Sequence, residues 1–252
     1  MGFFGDLFKA FKGYSKTLSF ITDHKLWSYF LIPAVINITI FIGIGFAAYY
    51  YSGELIDFLT KQLGLEALNE TMGLILQFFM ALLIRFTVFI IYLKLYKYLV
   101  LILLSPVLAL MAEKIYKLSG AQQGSINTMT FLRNIFRGIK VATINMITEI
   151  GLIILIVITT LFIPVISPFS PFMIFAIESY FYGFSMIDYR HELLNLSYRE
   201  SKESIWSRKG LAVGNGAVFN LFLLVPVIGV LTAPLISLTA AHLAMQENYP
   251  KT

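Results

Sequence analysis

The chain has no cysteine among its 252 residues, so disulfides, thiolate metal sites and thiol nucleophiles are excluded. Charge is scarce as well. Asp, Glu, Lys and Arg make up 13% of the sequence, against about 25% in soluble domains. No Gly-x4-Gly-Lys-Ser/Thr loop is present, which removes a P-loop ATPase. His-Glu-x-x-His and Gly-x-Ser-x-Gly are missing too, so zinc proteases and serine hydrolases of those types fall away. The histidines, His24, His191 and His242, stand in separate segments without ligand spacing. Asp188 with His191 and Glu192 is compatible with a metal site, although capping of a helix exit is the commoner use of such a group. No enzyme activity, cofactor or resident metal is expected. No polar block is large enough for a separate soluble domain, so residues 1–252 read as a single membrane domain.

What is abundant is apolar surface. The chain is 58% hydrophobic and 15% aromatic, with mean hydropathy +0.79. A soluble fold could not hide this much grease, so the class is an all-α integral membrane protein. Residues 1–28 lack the continuous apolar core of a signal peptide, because Lys9, Lys12 and Lys16 interrupt them. Phe4, Phe8, Phe11, Leu18 and Ile21 recur at helical steps between those lysines, as in an amphipathic helix lying in the membrane interface. Packing of that helix on other protein helices is the alternative.

Residues 29–51 form the first run able to cross, with Pro33 near the start and Tyr49, Tyr50 and Tyr51 closing it as an aromatic belt. The loop 52–71 follows, carrying Glu54, Asp57, Glu66 and Glu70 against the single Lys61. The next run, 72–112, would be roughly 60 Å long as a helix, about twice a hydrocarbon core. It must bend, continue into the interface, or be covered by other subunits. Arg85 falls about a dozen residues into it, at a depth where a charge costs about 2.5–3.5 kcal/mol. Its expected partners are Glu149 or Glu178 in a structural ion pair, or else an anion on a permeation path.

Two proline-cornered segments complete the chain. In 143–187, the arms 150–163 and 172–187 flank a charge-free tip with Pro164, Pro168 and Pro171. Each arm is about 14–16 residues, or roughly 21–24 Å, short of an ~30 Å core. This predicts a re-entrant hairpin. The alternative is a pair of full spans, with the first arm extended back through 143–148. Segment 211–245 repeats the plan, with Pro226, Gly229 and Pro234 in its turn. Gly210-x3-Gly214 has the form of a small-residue helix contact, or of glycines that merely permit a turn.

Basic residues are distributed unevenly: four in the N-terminal segment, five in 113–140, five in 190–209, and one in 52–72. The positive-inside rule makes the first three cytoplasmic and puts both termini inside. Two crossings plus two dipping hairpins fit that count, and so do six full spans. The +5 net charge sits mostly in loops, which points to anionic lipid headgroups rather than nucleic acid.

These landmarks resemble the CysZ-type sulfate permease family. Leu31-Ile32-Pro33 with Asn37 looks like the start of that family's first crossing. Ser105-Pro106 with Ala112-Glu113 resembles its Pro-x5-Ala-Glu signature. Phe162-Ile163-Pro164 and Pro171 are similar to its first hairpin tip, and Asp188-Tyr189 to the exit from it. Gly216, Pro226 and Pro234 match its last hairpin. The resemblance implies an amphipathic N-terminal helix, two long transmembrane helices and two half-penetrating helical hairpins. It also implies a homo-oligomer in the bacterial inner membrane that admits sulfate. Family members carry a Gly-Leu-Arg-type turn before the first crossing, where this chain has Lys25-Leu26-Trp27, followed by Ser28. An asparagine of the signature is Leu108 here. By analogy, Lys25, Leu26, Trp27, Ser28 and Arg85 are the candidate anion-binding residues. The expected cargo is sulfate or a related oxyanion, moved passively or with a coupling ion. A non-transporting scaffold or lipid-interacting assembly factor is the competing expectation.

Overall fold

A computed structural model describes residues 2–65, 70–119, 128–225 and 228–246. Among them the regular structure is entirely helical. In chain order the helices are α1 Phe3–Asp23, α2 Leu31–Gln62, α3 Glu70–Leu103, α4 Ser105–Leu118 and α5 Thr128–Phe162. They continue with α6 Ser170–Leu193, α7 Tyr198–Ser207, α8 Lys209–Leu223 and α9 Ile228–Gln246. Short 3₁₀ turns stand at Leu26–Phe30 and Pro164–Phe169. Three stretches are long and apolar enough to cross a membrane: Leu26–Gln62, Thr71–Leu93 and Ile135–Phe162. This is a helical membrane protein.

The chain divides into two compact units. One is the helical pair 37–100; the other comprises Met1–Ile36 and Leu101–Thr252. In the larger unit, α1 shows two faces. Asp6, Ala10, Gly13, Thr17 and Ile21 are buried against α8 and α9, while Phe4, Phe8, Phe11 and Leu18 are exposed. Ile21 therefore belongs to the buried face and not to the phenylalanine stripe. The small residues bring backbones together. A Cβ on Gly13 would lie 2.4 Å from the Ala240 carbonyl oxygen, and one on Gly210 would lie 2.2 Å from that of Phe3. Gly214 meets Ala10 in the same way, so the Gly210-x3-Gly214 pattern is a helix contact.

A close crossing joins α6 and α8. A Cβ at Gly183 would fall 1.9 Å from the Ala212 carbonyl oxygen, and one at Gly216 would fall 1.8 Å from that of Ser179. Amide and hydroxyl pairs join the helices around it, since a polar group in an apolar core needs a partner. Asn215 donates to the Ser237 carbonyl at 3.0 Å, and Ser237 Oγ donates back to Asn215 Oδ1 at 2.7 Å. Asn145 donates to Ser185 Oγ at 2.9 Å, tying α5 to α6.

Several element boundaries differ from the sequence expectation. Helix α2 does not stop at the tyrosine belt but continues through the stretch read as a loop, to Gln62. The long run 72–112 breaks at Leu104, and Ser105-Pro106 opens α4, where proline's missing N–H costs little. The first proline corner does make a helical hairpin, turning at Pro164–Phe169, but its arms are not half-length. Helix α5 has 35 residues and α6 has 24, roughly 52 and 36 Å. Arg137, read as part of a separate basic stretch, lies within α5, and Asp188, read as the exit of the second arm, lies within α6; the two pair with each other. In the second hairpin α8 ends at Leu223, and α9 runs through Pro234 as a proline inside the helix, not in the turn. Pro226 lies outside the described residues.

Candidate functional site

The stretch before α2 is shaped by one residue. Lys25 has φ 54°, in the left-handed region that favours glycine, and its N–H donates to the Thr22 carbonyl at 3.1 Å. This reverses the chain out of α1 and into the 3₁₀ turn. Leu26 is buried, whereas Lys25, Trp27 and Ser28 are exposed. Of the four, Leu26 can offer a solute its backbone only. The turn packs against α1 and α9.

Arg85 belongs to the other unit. Its guanidinium lies 5.4 Å from the centre of the Tyr49 ring, within cation–π range. Tyr92 O–H donates to the Phe41 carbonyl at 3.0 Å, which fixes the register of α3 on α2. Arg85 is therefore level with Tyr49 of α2. Asn37 is buried in this unit, and Pro33 lies in the first turn of α2. Glu113 on α4 pairs with Lys117 one turn away.

Three of the family-like residues come together at the end of α6. Ser105, at the start of α4, lies near the Tyr189 hydroxyl and donates to the Ile135 carbonyl at 3.3 Å. Both crowd against Gly138 of α5, where a Cβ would sit 2.4 Å from Ser105 Oγ and 3.2 Å from the Tyr189 hydroxyl. Beside them Asp188 accepts from Arg137 through both oxygens, at 3.2 and 2.9 Å. It also accepts from Ser201 Oγ. Ser201 in turn accepts from His191 Nδ1 at 2.9 Å, and Ser204 Oγ reaches His191 Nε2 at 3.4 Å. The chain of donors runs Ser204, His191, Ser201, Asp188, which requires a neutral imidazole protonated on Nδ1. Burial favours that form, lowering the His191 pKa to about 4. Burial, reinforced by Asp188, pushes Glu192 up to about 8, so this carboxyl is protonated at neutral pH. Arg137 gives a third donor, from Nη1, to the Leu196 carbonyl. Its fork is thus committed to the protein, and the cluster clasps α5, α6 and α7 rather than receiving an anion.

Neither α7 nor its clasp was foreseen in the basic stretch 190–209. A signal was present: Ser197-x-x-Glu200 is a capping box, with Glu200 N donating to Ser197 Oγ at 3.3 Å and Ser197 N to Glu200 Oε2 at 2.7 Å. The motif residues at the two corners are set apart from this cluster in sequence. Pro164 begins the exposed tip of the first hairpin, and Pro234 stands within α9.

A helical membrane protein with a left-handed turn ahead of its first long helix and a proline-cornered hairpin is the class these features define. The chain belongs to the family described as Sulfate transporter CysZ/Etoposide-induced protein 2.4, whose model matches residues 14–234. Among curated proteins none matches it.

Proposed function

We propose that this protein is an inner-membrane permease for sulfate or a related oxyanion, working as a homo-oligomer with both termini in the cytoplasm. The observation that carries the reading is membership of the family described as Sulfate transporter CysZ/Etoposide-induced protein 2.4, over a match that includes α2, α3, the first hairpin and the second as far as Pro234. The left-handed turn at Lys25 supports it. The backbone shape that suits glycine is kept, with a lysine supplying the positive charge. An oxyanion could meet that ammonium and the backbone of Leu26–Ser28, without the bidentate fork an arginine offers.

The hairpin α5–α6 enters the bilayer and returns. Its corner carries no charge, and Phe162 and Val165 are 82% and 81% exposed, surface that belongs in hydrocarbon rather than water. Length alone would let α5 cross; the greasy corner argues against it. Flux is passive or coupled to an ion, since no nucleotide loop is present.

Labelled sulfate uptake into proteoliposomes tests the proposal. Uptake above empty vesicles, reduced several-fold by Lys25→Gln in a protein of unchanged stability, is the expected result. Absence of flux for sulfate and for other tetrahedral or pyramidal oxyanions would turn the reading toward a non-transporting membrane scaffold.

A further inference from the structure

The smaller unit holds a groove of about 370 Å³ between α2 and α3. Arg85 stands at one end of it and Tyr92 at the other, and the walls between are formed by Gly45, Ala48, Val88 and Phe89. Gly45 keeps the slot open: a Cβ there would come no closer than 3.7 Å to any neighbour, the Tyr92 hydroxyl being nearest. A larger side chain would grow into the free space.

The two ends differ chemically. Arg85 is exposed, and among the described residues its guanidinium is in no ion pair, only over the Tyr49 ring. It lies beside the tyrosines that close the apolar run of α2, with Glu54 following one turn later. From there the slot descends along α2 toward Phe41, about 12 Å, between apolar walls. A cation beside Tyr49, in no ion pair among the described residues, with an apolar slot leading away from it complements a molecule with an anionic head and a hydrocarbon tail. A free dianion is less well served. Ser52 Oγ is already donated to the Tyr49 carbonyl at 2.8 Å, so few donors remain to complete its shell.

We propose that this groove binds one phospholipid, with its phosphate against Arg85 and an acyl chain lying between Gly45 and Phe89. The site goes beyond the permease reading and does not depend on it. The lipid would cover the groove and give the Arg85 guanidinium an anionic partner.

Native mass spectrometry of the full chain, released from bilayer discs, tests this with two probes, phosphatidylglycerol and the phosphate-free diacylglycerol. The expected result is retention of one phosphatidylglycerol per chain and no diacylglycerol. Arg85→Gln should weaken retention about tenfold, equivalent to one lost charge-assisted contact. Gly45→Leu, which fills the slot and leaves the charge, should do the same, while Gly53→Leu, with nothing within 4 Å of its Cβ, should not. Equal retention of both probes, or indifference to both groove variants, overturns the proposal. So does displacement of the lipid by excess sulfate, which would make Arg85 a small-oxyanion site. A change in the number of chains per particle on Gly45→Leu would assign the groove to a second copy of the chain and also end it. Sulfate flux is scored separately, so this test can fail while the permease reading stands.

Discussion

Arg137 Nε and Nη2 donate to the two carboxylate oxygens of Asp188 at 3.2 and 2.9 Å, joining α5 to α6 at the end where both helices leave their apolar stretches. Asp188 is almost fully buried, with 3% of its side chain exposed. Removing one partner leaves the other charge buried without compensation, which costs about 3 kcal/mol or more. Arg137→Ala and Asp188→Ala should each lower the thermal midpoint of the purified protein by several degrees. Arg137→Met with Asp188→Leu should recover most of the loss. Additive losses in that cycle would show that the pair is incidental.

The same cluster makes stability depend on pH. Glu192 has a folded pKa raised from 4.5 to about 8. Between those values the folded state holds a proton the unfolded chain has released, so stability falls as pH rises through that window and levels off above it. His191 has the opposite sign. Its pKa is lowered from 6.5 to about 4, so stability rises with pH between those two values. The two slopes oppose each other below pH 6.5, and the Glu192 contribution stands alone from about 6.5 to 8. Thermal midpoints should therefore drop across that last interval, and Glu192→Gln should flatten the drop. A variant that keeps the wild-type slope would mean that another group titrates.

The contact of α6 with α8 gives a sharper steric test. At Gly216 the nearest backbone oxygen is only 1.8 Å from where a Cβ would be, and backbone cannot swing aside as a side chain tip can. Gly216→Ala should therefore push the helices apart and cost about 3 kcal/mol, at the upper end of overpacking penalties. Gly43→Ala, with nothing within 4 Å, should be neutral or slightly stabilising. Limited proteolysis of the two variants side by side would read the difference. Similar digestion rates would show that α8 is not fixed against α6.

Some of this architecture could be read from single residues and some could not. Prolines announce themselves, because a missing donor and a fixed φ act locally. The corner at Pro164 was visible for that reason, whereas the break before Ser105-Pro106 was not placed within the long run 72–112. Helix length was not visible either. Asp188 reads as the exit of an apolar arm and Arg137 as part of a separate basic stretch until each is seen to neutralise the other, across 51 residues of chain. The neighbour of Arg85 could not be read from α3 alone, because it is the register of α3 on α2 that brings Tyr49 beside it. The turn at Lys25 was found through likeness to a family, since no local rule assigns positive φ to a lysine. Ser28 and Trp27 there are exposed, and only the turn geometry links them to a solute.

The depth of the first hairpin can be measured directly, because the chain has no cysteine to remove. Ser167 is an exposed residue in the 3₁₀ turn, between Pro164 and Phe169. If α5 and α6 dip and return, a Ser167→Cys thiol lies in hydrocarbon and a charged maleimide applied from either side should not react with it. A small apolar maleimide that partitions into lipid should still do so, which guards against a thiol that is simply buried. If α5 crosses, the charged reagent should label Ser167→Cys from the periplasmic side at a rate close to that of Gly53→Cys, a half-buried position on α2 with open space around its Cβ. Labelling at that rate would leave the basic residues on the cytoplasmic side but turn the half-penetrating hairpin into a pair of spans.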